Sequence, residues 1–301
     1  MKIIVAHSSP DWDAIGSIWL LKKYLSGWGD ATVAFVPAGT LLKGAKGHGK
    51  DVLDPIEVVG EDEIIHVDTG LGPLDHHQTS DKSVCAATRS WDFVREVLKK
   101  SGNELTPAHD AAVTKVVEYI LSGDHFREVF WADPAADYQE FSLIGLLDGM
   151  KLYKPDDDRH YVSFGMECLN AMVHTFESRL WAMEEIEKNG KEFKIKMGKA
   201  IAFETVNDNV VKLSQKMGYL LAVRKDPRKG YVRIKVRPAS SKDDDLDLTA
   251  AFEKLSKIDT EATWFLHVSK KMLLNGTPKN PKMIPTALTL EQIIDILKSI
   301  Y

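Results

Sequence analysis

Only two cysteines, Cys85 and Cys168, occur in the 301 residues. Two are too few for a disulfide framework and point to a reducing compartment. Long apolar runs are missing as well. Ile3–Ala6 gives way at once to polar residues, and Ile18–Leu21 is bounded by Lys22 and Lys23. Neither run is long enough for a membrane span or for the apolar core of a secretory signal. The expectation is a soluble, cytoplasmic chain with no membrane partner. Positive charge is not in excess either: the formal net charge is -5. That excludes a protein that coats duplex nucleic acid through its general field, and leaves open a local basic groove. Internal repeats and low-complexity segments are absent.

What the chain does have is an ordinary globular composition, with 44% hydrophobic and 28% charged residues. Its length exceeds one comfortable core, so two domains are expected. In the first half, strand and helix signals alternate. Ile3–Ala6 reads as a buried strand and Asp13–Leu25 as a helix with Ile15, Ile18, Trp19 and Leu21 on its apolar positions. Thr32–Val36 and Ile64–Asp68 read as further strands, separated by a Gly- and Lys-containing loop from Pro37 to Gly49. Two helices follow, over 86–100 and 107–121, the second with Pro107 where a missing amide costs nothing. This order predicts an α/β fold with an open, mostly parallel sheet flanked by helices.

The stretch 133–158 is richer in Pro, Asp and Gly and reads as a linker, which puts one domain at 1–150 and a second at 160–301. The second begins with a long helical pattern over 161–188. It continues with a hairpin signal, 219–224 and 231–237 around DPRKG, and a solvated loop at 242–247. A strand at 264–268 and a helix at 290–300 capped by Thr289 complete it.

Three polar clusters, HSSPDWD, DTGLGPLDHH and GDH, fall at or just after the expected element ends. In open α/β sheets, ligands collect at the carboxyl ends of the strands. His7, Asp11 and Asp13 lie within seven residues after the first strand, a donor set suited to a divalent cation such as Mn²⁺ or Co²⁺. Asp11 and Asp13 alternate around a tight turn, so each can face a different metal position; either could also simply cap the following helix. Gly16 allows close packing of that helix. Asp68 ends a central strand, where a carboxylate can bridge two metals. In the triplet Asp75-His76-His77, adjacent side chains point apart. One histidine can therefore bind metal while the other reaches substrate, with Asp75 fixing an imidazole tautomer. Asp124 follows a helix end and is either a fourth carboxylate or an ordinary terminator. Four carboxylates offset two divalent ions, and two such ions about 3.5–4 Å apart can clamp a phosphoryl group and activate a bridging water.

With those residues in place, a family likeness appears. HSSPDWDAIGS, Asp68 and Asp75-His76-His77 resemble the motifs of the DHH phosphoesterase superfamily over the first 125 residues. That superfamily includes single-strand exonucleases, oligonucleotide and cyclic-dinucleotide phosphodiesterases, and manganese pyrophosphatases. The resemblance implies a DHH-type catalytic domain, a smaller C-terminal α/β domain, and two divalent ions, manganese first, with magnesium or cobalt as alternatives. It implies metal ligation by His7, Asp11, Asp13, Asp68, His76 and Asp124, with His77 on the phosphate; Asp68, Asp75 and His77 are the expected catalytic group.

The second half lacks the GGGH-like motif of the nuclease branch, and VSKKM at 268–272 only echoes the basic run of the pyrophosphatases. Its overall order is similar to the melanocyte-proliferating-gene family of exonuclease-like DHH proteins. Arg237, Lys270 and Lys271 are the expected substrate contacts there. Arg224, Arg233, Lys235 and His267 are further basic candidates, whose plainer reading is the solvent face of a half-buried sheet. His66 reads as a satisfied core histidine, His125 stays outside the site, and Lys43, Lys46 and His48 form a weaker candidate rim. The seven Trp lie mostly at helical spacings and read as core or domain packing, not as base-stacking platforms. The expected function is hydrolysis of phosphodiester bonds in short single-stranded nucleic acid or nucleotides. The alternatives are an anhydride hydrolase of the pyrophosphatase kind and a non-catalytic metal- or nucleotide-binding regulator. An oligomer is compatible with everything above.

Overall fold

The structure is a computed structural model that describes residues 1–47, 54–239, 246–277 and 280–301. His48 and part of the loop expected at 242–247 lie outside the described residues. The chain is a mixed α/β protein that divides into two units, Met1–Glu177 and Ser178–Tyr301.

The first unit is built on a four-stranded sheet ordered β2-β1-β4-β3, from β1 (Lys2–His7), β2 (Thr32–Val36), β3 (Ile56–Val59) and β4 (Asp62–His66). β1 pairs in parallel with both β2 and β4, while β3 is an antiparallel edge on β4. Ile4, Val5 and Ala6 are fully buried, which is why an uninterrupted apolar run takes the centre of the sheet. The chain leaves β1 through α1 (Trp12–Tyr24) towards β2 on one side, and its other neighbour, β4, lies on the opposite side. The carboxyl ends of β1 and β4 therefore flank a topological switch point, where open α/β sheets hold their ligands.

α1 packs with α2 (Ala86–Ser101) and α3 (Pro107–Asp124). Gly16 makes that close approach feasible: a Cβ there would stand 2.5 Å from Ile120 Cδ1. The hydroxyl of Thr106 accepts from the His109 amide at the start of α3, with Pro107 in its first turn. Gly102, at φ 69°, closes α2 in the left-handed conformation that glycine adopts freely.

Two expectations are corrected here. The strand expected to reach Asp68 ends at His66, because the Asp68 amide donates to the Leu74 carbonyl (3.1 Å) and turns the backbone to φ 53°. The stretch 133–158, expected as a linker, carries a 3-10 turn, Asp137–Phe141, and α4 (Leu143–Tyr153), and a further 3-10 turn, Arg127–Phe130, precedes it. Ser142 caps α4 by accepting from the Gly145 amide, a signal masked by the surrounding Pro and Asp.

α5 (Asp158–Asn189) runs from the first unit into the second. The second unit holds a six-stranded sheet ordered β5-β6-β7-β8-β10-β9. Its strands are β5 (Lys191–Ile195), β6 (Gly198–Glu204), β7 (Leu221–Lys225), β8 (Val232–Val236), β9 (Trp264–Leu266) and β10 (Met272–Asn275). Only the β6–β7 pair is parallel among these. α6 (Asn209–Lys216), α7 (Thr249–Ile258) and α8 (Leu290–Ile300) accompany it. α8 starts with a reciprocal cap between Thr289 and Gln292 and buries Leu290, Ile293, Ile294 and Leu297. Among the described residues no helix is long and apolar enough to cross a membrane.

Candidate metal centre

β1 ends on His7, and the chain enters α1 through Ser8-Ser9-Pro10. Asp11 occupies the N-cap, where its Oδ1 accepts from the amides of Asp13 (2.9 Å) and Ala14 (3.1 Å). Capping uses only that oxygen. Oδ2 of the same carboxylate lies 3.8 Å from His7 Nε2, so the capping and ligand readings of Asp11 coexist. His7 Nε2 is also 3.1 Å from Asp68 Oδ2.

Asp13 points the other way, into the protein. It is buried, and its two oxygens accept from the first amides of α2, Ala86 (2.6 Å) and Ala87 (2.7 Å). A helix N-terminus is a favourable seat for a carboxylate. Nothing in the sequence pointed to these two amides, because any residue type supplies a backbone N–H. Oδ2 of Asp13 remains 3.5 Å from His76 Nε2, which in turn is 3.6 Å from Asp68 Oδ1 and 3.7 Å from Asp124 Oδ1.

The six residues expected as ligands thus converge in two groups. His7, Asp11 and Asp68 form one, Asp13, His76 and Asp124 the other, and a third, overlapping group joins His77 to Asp68 and His76; within each the donor atoms lie within 4.8 Å of one another. Asp68 stands at the seam. Among the described residues, two buried atoms at that seam, Asp68 Oδ1 and His76 Nε2, have no hydrogen-bond partner. Buried polar groups are rarely left so, and an oxygen facing a ring nitrogen without bonding it is the arrangement a cation between them would satisfy. The donor set of imidazole and carboxylate suits a divalent ion of intermediate hardness.

The protonation preferences describe the metal-free cluster. Burial pushes the Asp13 carboxyl well above the usual range, and the neighbouring charges of Asp68 and Asp124 push the same way. Burial likewise raises Asp124. Burial opposes the charged form of His7, but Asp11 and Asp68 outweigh it and hold the imidazole at about 10. His76 is raised to about 9, first by the facing Asp68 carboxylate. Each shift stores a proton among crowded carboxylates, the signature of a site short of positive charge.

His77 is set differently from its neighbour. Its Nδ1 lies 2.7 Å from Asp75 Oδ1, which also accepts from the His77 amide, while the side chain is 56% exposed. The other oxygen of the fully buried Asp75 accepts from the Leu71 amide at 2.7 Å. Asp75 therefore anchors His77, whose Nδ1 also lies 3.7 Å from Asp68 Oδ1.

His66 is buried and its Nε2 accepts from the Leu42 amide. His125 Nε2 is 3.0 Å from the Val84 carbonyl. Of the basic candidates in the second unit, Arg224 and Arg233 both pair with Asp208. Arg233, Lys235 and Arg237 alternate with buried Val232, Ile234 and Val236, so they share the face away from that core. Lys270 Nζ is 3.3 Å from Asp247, and the Lys271 amine donates to the Leu246 carbonyl.

No protein-family profile and no curated protein match the chain. Among solved structures, it is similar to a candidate family II inorganic pyrophosphatase of Methanococcus jannaschii. The identity is 15%, over 100% of this chain and 99% of the other, with a TM-score of 0.23. It is also similar to PggH, a pGpG-specific phosphodiesterase of Vibrio cholerae, at 14% identity over 92% and 93% of the two chains and a TM-score of 0.24.

Proposed function

We propose that this protein is a two-metal phosphoesterase that hydrolyses phosphodiester bonds in short single-stranded nucleic acid or nucleotides. The observation that supports this most is the division of Asp68, one carboxylate oxygen towards His7 and the other towards His76. His7, Asp11 and Asp68 would hold one divalent ion, and Asp13, Asp68, His76 and Asp124 the second, with manganese the first choice for this donor set. Such a pair supplies Lewis acidity towards phosphoryl oxygens and brings water towards its conjugate base near neutral pH.

The chain's own groups do the rest. Four carboxylates balance two divalent ions, so the loaded centre keeps no excess negative charge to repel a phosphate. His77, exposed and held by Asp75, presents a ring edge that can donate to a phosphoryl oxygen as negative charge grows there. Arg237, Lys270 and Lys271 are proposed as basic contacts to the substrate backbone. Two of them now have partners, Lys270 with Asp247 and Lys271 with the Leu246 carbonyl, that substrate would have to displace.

The test is hydrolysis, with Mn²⁺, of a 5′-labelled short RNA, the equivalent DNA, and pyrophosphate, each beside Asp68→Ala. A ladder of shortened oligonucleotides that vanishes in the variant supports the proposal. Phosphate release from pyrophosphate alone would replace it by anhydride hydrolysis. Bound metal with no turnover of any of the three would replace it by a regulatory role.

A further inference from the structure

The helix that ends in Asp124 has a second use five residues earlier. Tyr119 is a wall of two neighbouring cavities in the first unit. One, of about 180 Å³, is lined by the ligand carboxylates Asp11, Asp13 and Asp124 together with Tyr119, Leu147 and Lys151. The other, of about 300 Å³, is lined by Tyr119, Trp131, Phe141, Leu143, Met172 and Phe176 among others. α3 supplies the shared wall, the 3-10 turns and α4 one side, and α5 the other.

The chemistry of the larger cavity is unlike that of its neighbour. No Lys, Arg, Asp or Glu lines it among the described residues, and its Ser142 hydroxyl already accepts from the Gly145 amide. The rings of Tyr119 and Trp131 lie 5.8 Å apart at 34°, close to one continuous aromatic surface. Phe141 also lines the cavity, and with 86% of its surface exposed its ring face is open to a ligand. A cavity of this size is at the small end of those that hold organic ligands, which suits one heterocycle.

We infer that this cavity is a nucleobase subsite, in which a base of the substrate lies against Trp131 and Phe141 while its phosphate reaches the Asp11, Asp13 and Asp124 side of Tyr119. The spacing allows it. Tyr119 and Asp124 are separated by five helical residues, about 7.5 Å along the axis, comparable to the offset between a nucleotide's base and its phosphate. With a lining dominated by aromatic faces and without charged side chains among the described residues, the subsite holds a base chiefly by stacking and discriminates weakly among the four. This rests on the phosphoesterase reading and sharpens it, because a substrate without a base gains nothing from the cavity.

Binding tests the inference without turnover. The full chain with Mn²⁺ is titrated calorimetrically with AMP and with ribose 5-phosphate, which differ by the base. AMP is expected to bind about tenfold or more tightly. Trp131→Ala, and separately Phe141→Ala, should bring the two affinities together by weakening AMP alone. Phe141 is so exposed that its removal leaves the fold intact. Equal affinities in the unaltered protein, no binding of either ligand, or a preference for AMP that survives both variants would overturn the inference. A dimer that Phe141→Ala dissociates, with no preference for AMP, would overturn it in favour of a subunit interface. Failure of the phosphoesterase reading shows elsewhere, as an absence of hydrolysis of every phosphoester offered.

Discussion

Asp68 divides its carboxylate among histidines: Oδ2 lies 3.1 Å from His7 Nε2, while Oδ1 lies 3.6 Å from His76 Nε2 and 3.7 Å from His77 Nδ1. The residue is 2% exposed and sits at φ 53°, so both its position and its backbone are held by the surrounding turn. Only a carboxylate offers two equivalent anionic oxygens at one position. Asp68→Asn keeps the shape and replaces one oxygen with a donor. It should lower kcat on an oligonucleotide by about a thousandfold or more, the loss expected when several kcal/mol of charge stabilisation goes. Elemental analysis of the dialysed variant should find fewer than two divalent ions per chain, against two in the unaltered protein. Two retained ions with full activity would remove Asp68 from the bridge.

His77 and His76 are adjacent in sequence and opposite in circumstance, the first exposed and tied to Asp75, the second enclosed by three carboxylates. His77→Gln should therefore lower kcat by about 10²–10³-fold while the metal content stays at two, since loss of one donor to a charged transition state has that effect. Asp75→Asn removes the charge that orients the ring and should cost about 10–100-fold. In the double variant the Asp75 effect should nearly vanish, because Asp75 acts through His77. Additive losses would mean that Asp75 works on its own.

How much of this was legible in the sequence differs from residue to residue. The short interval between His7 and Asp13, with a strand before and a helix after, set the ligand loop, because capping and strand-end rules operate over a few residues. The partners of Asp13 were not legible: the amides of Ala86 and Ala87 come from 73 and 74 residues away and have no side-chain signature. α4 was hidden by the composition around it, although its own run LIGLLDGMKLY is apolar enough to pack. Trp131 and Tyr119 illustrate a different limit. A count of tryptophans suggests core, whereas the wall they form depends on how α3 and the 3-10 turns meet.

The packing of α1 on α3 turns on Gly16. An added Cβ would meet Ile120 Cδ1 at 2.5 Å, and Ile120 is itself buried, so it has little room to give. Gly16→Val should lower the stability of the metal-free protein by about 2–3 kcal/mol, the usual cost of forcing a branched side chain into a packed interior. Urea unfolding would measure it as a lower midpoint at unchanged slope. Because α1 carries Asp13 and α3 carries Asp124, the same variant should bind Mn²⁺ more weakly; unchanged affinity would show that the ligands tolerate displacement of the two helices.

Protons and metal ions compete for the same atoms, which gives the site a definite pH dependence. In the metal-free protein His7 is held at about 10 and His76 at about 9, against 6.5 for a free imidazole. The folded state thus binds these protons more tightly than the unfolded state does. Their contribution to stability is complete below about pH 6.5, declines as pH rises above it, and is lost once pH passes 9 to 10. The raised carboxyls of Asp13 and Asp124 act in the same sense, with their decline beginning lower, above the ordinary carboxylate value. Divalent metal reverses the trend, because it requires neutral imidazole and ionised carboxylate. Metal affinity should therefore rise with pH from 6.5 to about 9, with protons released on binding. Calorimetry of Mn²⁺ binding in buffers of different ionisation enthalpy would count those protons. The expected result at pH 7 is more than one proton released per fully loaded chain, together with a thermal midpoint that falls with pH without metal and not with it. No proton release at pH 7 would mean that the histidines are already neutral and that the carboxylates facing them do not hold their charge.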